Sequence, residues 1–200
     1  HVYSSTEITV GDALRNGCEI AFSMLTNKLS VEQMKQQLTD FNFFSTPSLG
    51  VPLSEIVFPF SSENSKANAT NSIRISPLLL ARAASLITNA GKFHELSLIL
   101  DPAEENNALT SNSNFTPTYS FPPQHLNFLL SSILQRKGNY WEYSGFSVDD
   151  NGNYQWLVQG TLPDYETKKT IVVIVLENAS AVQALSIGNN IYNFVQEMGD

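Results

Sequence analysis

Acid-base, nucleophilic or metal chemistry needs imidazoles, thiols, carboxylates or hydroxyls at workable spacing, and this 200-residue sequence is sparing with the first two. Its histidines are His1, His94 and His125, and none falls at the spacing of a metal centre or a catalytic triad. Its one cysteine, Cys18, lies on the apolar stripe of an expected helix, where a free thiol behaves as a small hydrophobe rather than a nucleophile. A single thiol also excludes an internal disulfide framework and a multi-thiolate metal site. Asp149-Asp150-Asn151-Gly152 fits a hairpin turn better than the longer calcium loop, and no phosphate-cradling glycine loop or dinucleotide fingerprint occurs. The residues therefore assign no metal, no cofactor and no catalytic group.

The elements that would position any site follow from periodicity. Thr9 with Asp12 marks a helix start, and Val10, Leu14, Cys18, Ala21, Phe22 and Leu25 continue at helical spacing, which predicts one helix over this span. Ser30 with Gln33 is a capping-box pattern opening a second amphipathic helix through Val31, Met34, Leu38 and Phe41. Prolines 47, 52 and 59 favour an irregular connection, followed by a polar loop from Ser61 to Asn71. Ser76-Pro77 predicts a buried helix over Leu78 to Ile87 that Asn89-Ala90-Gly91 stops. Phe93 to Leu100 suggests a short strand, Asp101 to Thr118 a long loop, and Pro122-Pro123 a helix ending near Gly138.

The last third changes period. Tyr140 to Val148 and Tyr154 to Thr161 read as strands of a hairpin, and Thr170 to Leu176 as a third strand buried on both faces. Ser180 caps a closing helix whose Val182, Leu185, Ile191, Val195 and Met198 are expected to face the sheet. The fold class is α+β: a mainly helical part over residues 1–138, then a three-stranded antiparallel meander with a helix packed on it over 139–200, together one domain or a fragment of one.

Composition narrows the partners. Apolar residues make up 42% of the chain, enough for a core, while charged residues make up 15%, below the usual quarter. Eleven Lys and Arg against nineteen Asp and Glu give a net charge of -8, which repels a phosphate backbone, so no nucleic-acid partner is expected. Neither a run of eighteen apolar residues nor a signal-peptide pattern is present, so membrane association is expected only through an anchor outside this chain.

Several blocks, in order, resemble the transpeptidase domains of penicillin-binding proteins, which share their fold with serine β-lactamases. Ile75-Ser76-Pro77-Leu78-Leu79-Leu80-Ala81-Arg82-Ala83-Ala84 with Thr88-Asn89-Ala90-Gly91-Lys92 looks like the family's helix after the cleft. Ala13-Leu14-Arg15-Asn16-Gly17-Cys18-Glu19-Ile20-Ala21-Phe22 looks like the helix bearing its second motif. Trp141-Glu142-Tyr143-Ser144-Gly145, Gln155 to Gly160 and Val172 to Asn178 look like its last three strands. The resemblance covers nearly the whole chain and begins well inside the family domain.

That family builds its active site from Ser-x-x-Lys (acylated serine and basic partner), Ser-x-Asn (proton relay and substrate amide) and Lys-Thr-Gly (substrate carboxylate). No Ser-x-x-Lys occurs here. Gly17, Cys18 and Glu19 match the second motif, losing its hydroxyl and replacing its amide with a carboxylate. At the third, Phe146, Ser147 and Val148 follow Gly145, so an aromatic ring stands where a cation is expected. Ser62-Glu63-Asn64 fits Ser-x-Asn by chance in a polar loop, and Ala69-Thr70-Asn71 replaces the usual Gly-Gln-Gly.

The resemblance then implies a catalytically degenerate domain, a scaffold or binding module of cell-wall synthesis on the outer, extracytoplasmic face of a bacterial envelope. Its partner would be a cell-wall peptide or an envelope protein. The enzyme alternative is an active D,D-transpeptidase whose Ser-x-x-Lys segment lies upstream. Strand 170–176, left with an open edge, is expected to recruit another strand. A coincidental resemblance would leave the three C-terminal strands in different sheets.

Overall fold

The computed structural model describes residues 9–40, 75–92, 121–149, 152–166 and 168–198. The expected strand at Phe93 to Leu100, the loops at Ser61 to Asn71 and Asp101 to Thr118, and His1 and His94 lie outside these residues.

The N-terminal helical span is two helices rather than one, α1 Val10–Arg15 and α2 Glu19–Thr26. Thr9 caps α1 as expected, its hydroxyl accepting the Asp12 amide. The break falls at Gly17, whose φ of +62° is a left-handed conformation that other residues rarely adopt. Cys18 is therefore not mid-helix but the N-cap of α2, half-buried. Helix α3, Val31–Asp40, carries the expected capping box: Gln33 N–H donates to Ser30 Oγ at 3.1 Å and Ser30 N–H to Gln33 Oε1 at 2.8 Å.

Helix α4, Pro77–Thr88, starts at the Ser76 cap with proline in its first turn, and is buried along most of its length. Gly91, at φ +85°, ends it, donating its amide to Leu86 O at 2.6 Å. Helix α5, Pro123–Phe128, runs into a π-helical turn over Leu129–Ile133, where Leu134 N–H reaches back five residues to Leu129 O. The chain leaves that turn as a strand, so the expected helix to Gly138 stops five residues early.

One antiparallel sheet follows in sequential order, β1 Gln135–Lys137, β2 Tyr140–Asp149, β3 Gly152–Thr161 and β4 Ile171–Glu177. The three C-terminal strands thus share one sheet, and β1 adds a fourth that its wholly exposed Gln-Arg-Lys sequence did not announce. Opposed residues of an antiparallel ladder share a face. Trp141 and Gly160, Tyr143 with Val158 and Val173, and Ser147 with Tyr154 face one way; Glu142 with Gln159 and Val172, and Leu157 with Ile174 face the other.

The first face packs on α4 and α5. Ala84, Leu126, Leu130, Leu134, Trp141, Val158 and Leu162 form its core, and the Trp141 indole N–H donates to Thr88 Oγ1 at 3.2 Å. The second face packs on α6, Ala181–Glu197, through Leu157, Val172, Ile174, Ala184 and Tyr192. Ser180 caps α6 with a full capping box. The helix presents small residues to the sheet: Ala184 and Gly188 are buried, and a Cβ on Gly188 would lie 2.6 Å from Gln159 Oε1. Val182, Ile191 and Met198, expected to face the sheet, are exposed, because close helix-on-sheet contact selects the smallest stripe.

Candidate functional site

Two walls, helix α1 and strand β2, are joined by a long-range contact. The Tyr143 hydroxyl donates to the carbonyl of Leu14 at 3.2 Å, joining residues 129 apart in sequence. Helix α1 is in turn fixed from behind. Gly11 lets it approach the π turn so closely that a Cβ there would lie 2.9 Å from Ser132 Cβ, and the Arg15 guanidinium donates to Ser132 O at 2.7 Å. The carbonyl that receives Arg15 belongs to the π-helical turn.

Among the expected site residues, Gly17 forms the exposed left-handed turn, Cys18 caps α2 without a side-chain bond to its amides, and Glu19 is the first residue of α2. On β2 the pleat separates the rest. Ser147 shares the Tyr143 face, where its hydroxyl accepts the Trp156 indole N–H at 2.8 Å. Phe146 and Val148 point to the opposite face, 63% and 64% exposed. The residue of β2 that reaches α1 is Tyr143, three residues before Phe146, at the head of the run Tyr143-Ser144-Gly145.

Burial pushes the Tyr143 phenol above its ordinary pKa, so it stays neutral through the physiological range. Its ring borders an apolar cavity of about 350 Å³ lined by Leu38, Leu80, Ala83, Ile87 and Trp141. Among the described residues none of those lining it is ionisable apart from Tyr143, so this wall suits an apolar group rather than a reacting anion. Strand β1 covers β2 only at Tyr140–Glu142, and from Tyr143 onward the outer edge of β2 has no strand partner among the described residues.

A second polar group lies on the other face, under α6. Gln159, fully buried, donates to Asn189 Oδ1 at 2.8 Å and more weakly to Glu142 Oε2 at 3.4 Å, while the Tyr140 hydroxyl donates to Asn189 Oδ1 at 3.1 Å. Desolvation first, then the Glu142 charge and Tyr192, raise the Tyr140 pKa. These groups join α6 to the sheet. His125 is exposed on α5, edge-on to Phe121 at 5.5 Å between ring centroids. Among the described residues no cluster of His, Cys, Asp and Glu could hold a metal ion.

A family profile described as penicillin binding protein transpeptidase domain matches residues 1–119. The fold is similar to that of a D,D-transpeptidase domain of a peptidoglycan glycosyltransferase from Eggerthella lenta, with a TM-score of 0.68 at 14% identity over 96% of this chain and 54% of that one. It is similar to Pseudomonas aeruginosa PBP2 in complex with WCK 5153, with a TM-score of 0.66 at 15% identity over 96% of this chain and 49% of that one. Penicillin-binding protein A from M. tuberculosis, solved as an imipenem acyl-enzyme complex, gives 0.60 at 15% identity over 90% of this chain and 44% of that one. The chain spans about half the length of the proteins it matches. No curated protein sequence matches it.

Proposed function

The chain belongs to the penicillin-binding-protein transpeptidase family, and from that premise we propose that it is a noncatalytic member, a module that binds a cell-wall peptide at the outer face of a bacterial envelope instead of exchanging its bonds. Tyr143 carries this reading. The family resemblance calls for a cation ahead of the hydroxyl-glycine pair, and Tyr143 precedes Ser144-Gly145 here. A neutral phenol whose proton is committed to Leu14 O cannot act as an ammonium toward an arriving carboxylate. A hydrogen bond to a charged group contributes about 1.5–3 kcal/mol, so the change costs on the order of a tenfold to hundredfold in affinity for an anionic substrate end.

Two further changes act in the same direction: Gly17 and Glu19 remove the hydroxyl and the neutral amide of the second motif. What remains suits binding. The outer edge of β2 beyond Glu142 can pair with an extended peptide, beside the exposed Phe146 and Val148. No helix among the described residues is long and apolar enough to cross a membrane, so attachment to an envelope would come from a partner or another segment.

The rival reading, an active D,D-transpeptidase whose serine and lysine come from elsewhere, is favoured by the chain's half-length coverage of its structural matches. Incubation of the natural protein at its full length with a fluorescent penicillin, followed by denaturing electrophoresis, separates the two. The noncatalytic reading expects no labelled band; covalent labelling would sink it. Titration with a wall stem peptide is expected to shift backbone NMR signals from Gly145 to Val148, and shifts confined to other elements would remove the binding site from β2.

A further inference from the structure

Two consecutive residues of α1 grip opposite ends of one bracket. Leu14 O accepts the Tyr143 hydroxyl at 3.2 Å, and the next side chain, Arg15, donates to Ser132 O at 2.7 Å. The bracket between those partners is short. Ser132 sits in the π-helical turn, Leu134 closes that turn on Leu129 O, and Gln135 at once pairs with Glu142, the neighbour of Tyr143 on β2. Ser132 and Tyr143 are thus tied to each other by a few residues of chain and a strand ladder.

Each grip also caps a helix end. The last carbonyls of a helix lack partners within it, and the helix dipole favours a cation there. Arg15 supplies that cation at the π turn that ends α5, while Tyr143 supplies a donor at the end of α1. The remainder of the Arg15 head group is uncommitted. Its Nε is buried without a hydrogen-bond partner, and the carboxylate beside it, Asp12, stands 3.8 Å away and half exposed. A surface pair of that kind contributes little, so Ser132 O decides where the guanidinium points. Gly11, four residues earlier on the same face of α1, makes room for Ser132 Cβ, so a single residue of the π turn meets α1 at two points.

We propose that Arg15 is the positioning residue of the candidate site: through the π turn it fixes α1 against β2, and so sets how far the Gly17–Cys18 corner stands from the strand that takes the peptide. The inference rests on the peptide-binding reading above. The corner begins two residues beyond Arg15, at the left-handed Gly17, whose amide returns to Leu14 O at 3.1 Å, and Cys18 N–H returns to Ala13 O at 2.9 Å. Both bonds end on α1, so the corner moves with that helix. Without Arg15, α1 loses its charged hold on the bracket and the corner drifts from β2.

Three substitutions in the natural protein at its full length test this. Arg15→Met keeps the aliphatic stem and removes the donors. It is expected to speed hydrogen exchange of the Gly17 and Cys18 amides about tenfold while amides of β3 and β4 exchange as before. It is also expected to lower the affinity for a wall stem peptide about twofold to thirtyfold. Arg15→Lys keeps a cation for the one bond to Ser132 O and is expected to restore most of both. Gly11→Ala thrusts a methyl group at Ser132 and is expected to act in the same direction as Arg15→Met, less than additively with it.

Gly11→Ala carries the comparison where Arg15→Met fails to fold. Unchanged exchange at Gly17 and Cys18 overturns the proposal, as does a stem peptide that binds Arg15→Met as tightly as the unaltered protein, or a loss that Arg15→Lys leaves in full. A peptide that binds none of the forms, with exchange altered as expected, strikes the peptide-binding reading and upholds Arg15 as the hold on the corner.

Discussion

At the scale of single residues, the wall contact between Tyr143 and Leu14 O is the most informative, because one hydroxyl joins two elements far apart in sequence. Tyr143→Phe is expected to lower unfolding stability by about 1 kcal/mol at neutral pH, the usual net worth of such a bond. Its pH dependence follows from burial. The phenol is uncharged when protonated, and desolvation raises its folded pKa above the ordinary 10.0, so the folded protein holds that proton more tightly than the unfolded chain. The resulting contribution is complete below pH 10 and is lost as pH rises through the folded value. Tyr140 and Tyr192 shift the same way, each chiefly by desolvation. Denaturant titrations from neutral to strongly alkaline pH should show stability falling above about pH 10. They should also show a shallower fall in Tyr143→Phe; equal slopes would mean that Tyr143 ionises without cost.

At the scale of elements, the contacts that lock helices to the sheet pass through glycines. Gly188→Ala would press a methyl group into Leu157 and the Gln159 amide, both fully buried, and is expected to cost about 1–3 kcal/mol in thermal or denaturant unfolding. Gly160 is the counterpart on the other face, with the Trp141 ring 2.7 Å from where its Cβ would be. These positions also mark what could be read from sequence. The capping residues identified α3 and α4, the Asn-Gly turn the hairpin, and an unbroken apolar run β4, because each signal is local; β4 was expected to be buried on both faces but is fully buried only at Val172 and Ile174. The inward face of α6 was misread because hydrophobicity favoured Val182, Ile191 and Met198, while proximity to Leu157 and Gln159 demanded Ala184 and Gly188. The break at Gly17 was equally hidden, since the apolar period continues from Val10 to Leu25 across a residue whose φ turns positive. At the candidate site, the helix carrying Gly17, Cys18 and Glu19 was legible in outline, but the contact of Tyr143 with α1 needed strand parity, which only pairing supplies.

At the scale of the whole molecule, the charge of -8 and the scarcity of Lys and Arg leave little to attract polyanions. The strand order β1-β2-β3-β4 has a kinetic consequence. Each strand pairs with its successor and the chain then returns as α6 over β3 and β4, so residues 135–198 can assemble through short loop closures. The link from Tyr143 to Leu14 must instead close 129 residues. The C-terminal meander is therefore expected to gain amide protection first in pulse-labelled refolding, with α1 joining last. At equilibrium α1 should exchange first, making the wall beside Tyr143 the loosest-held part of the candidate site and the natural point of opening for an incoming peptide.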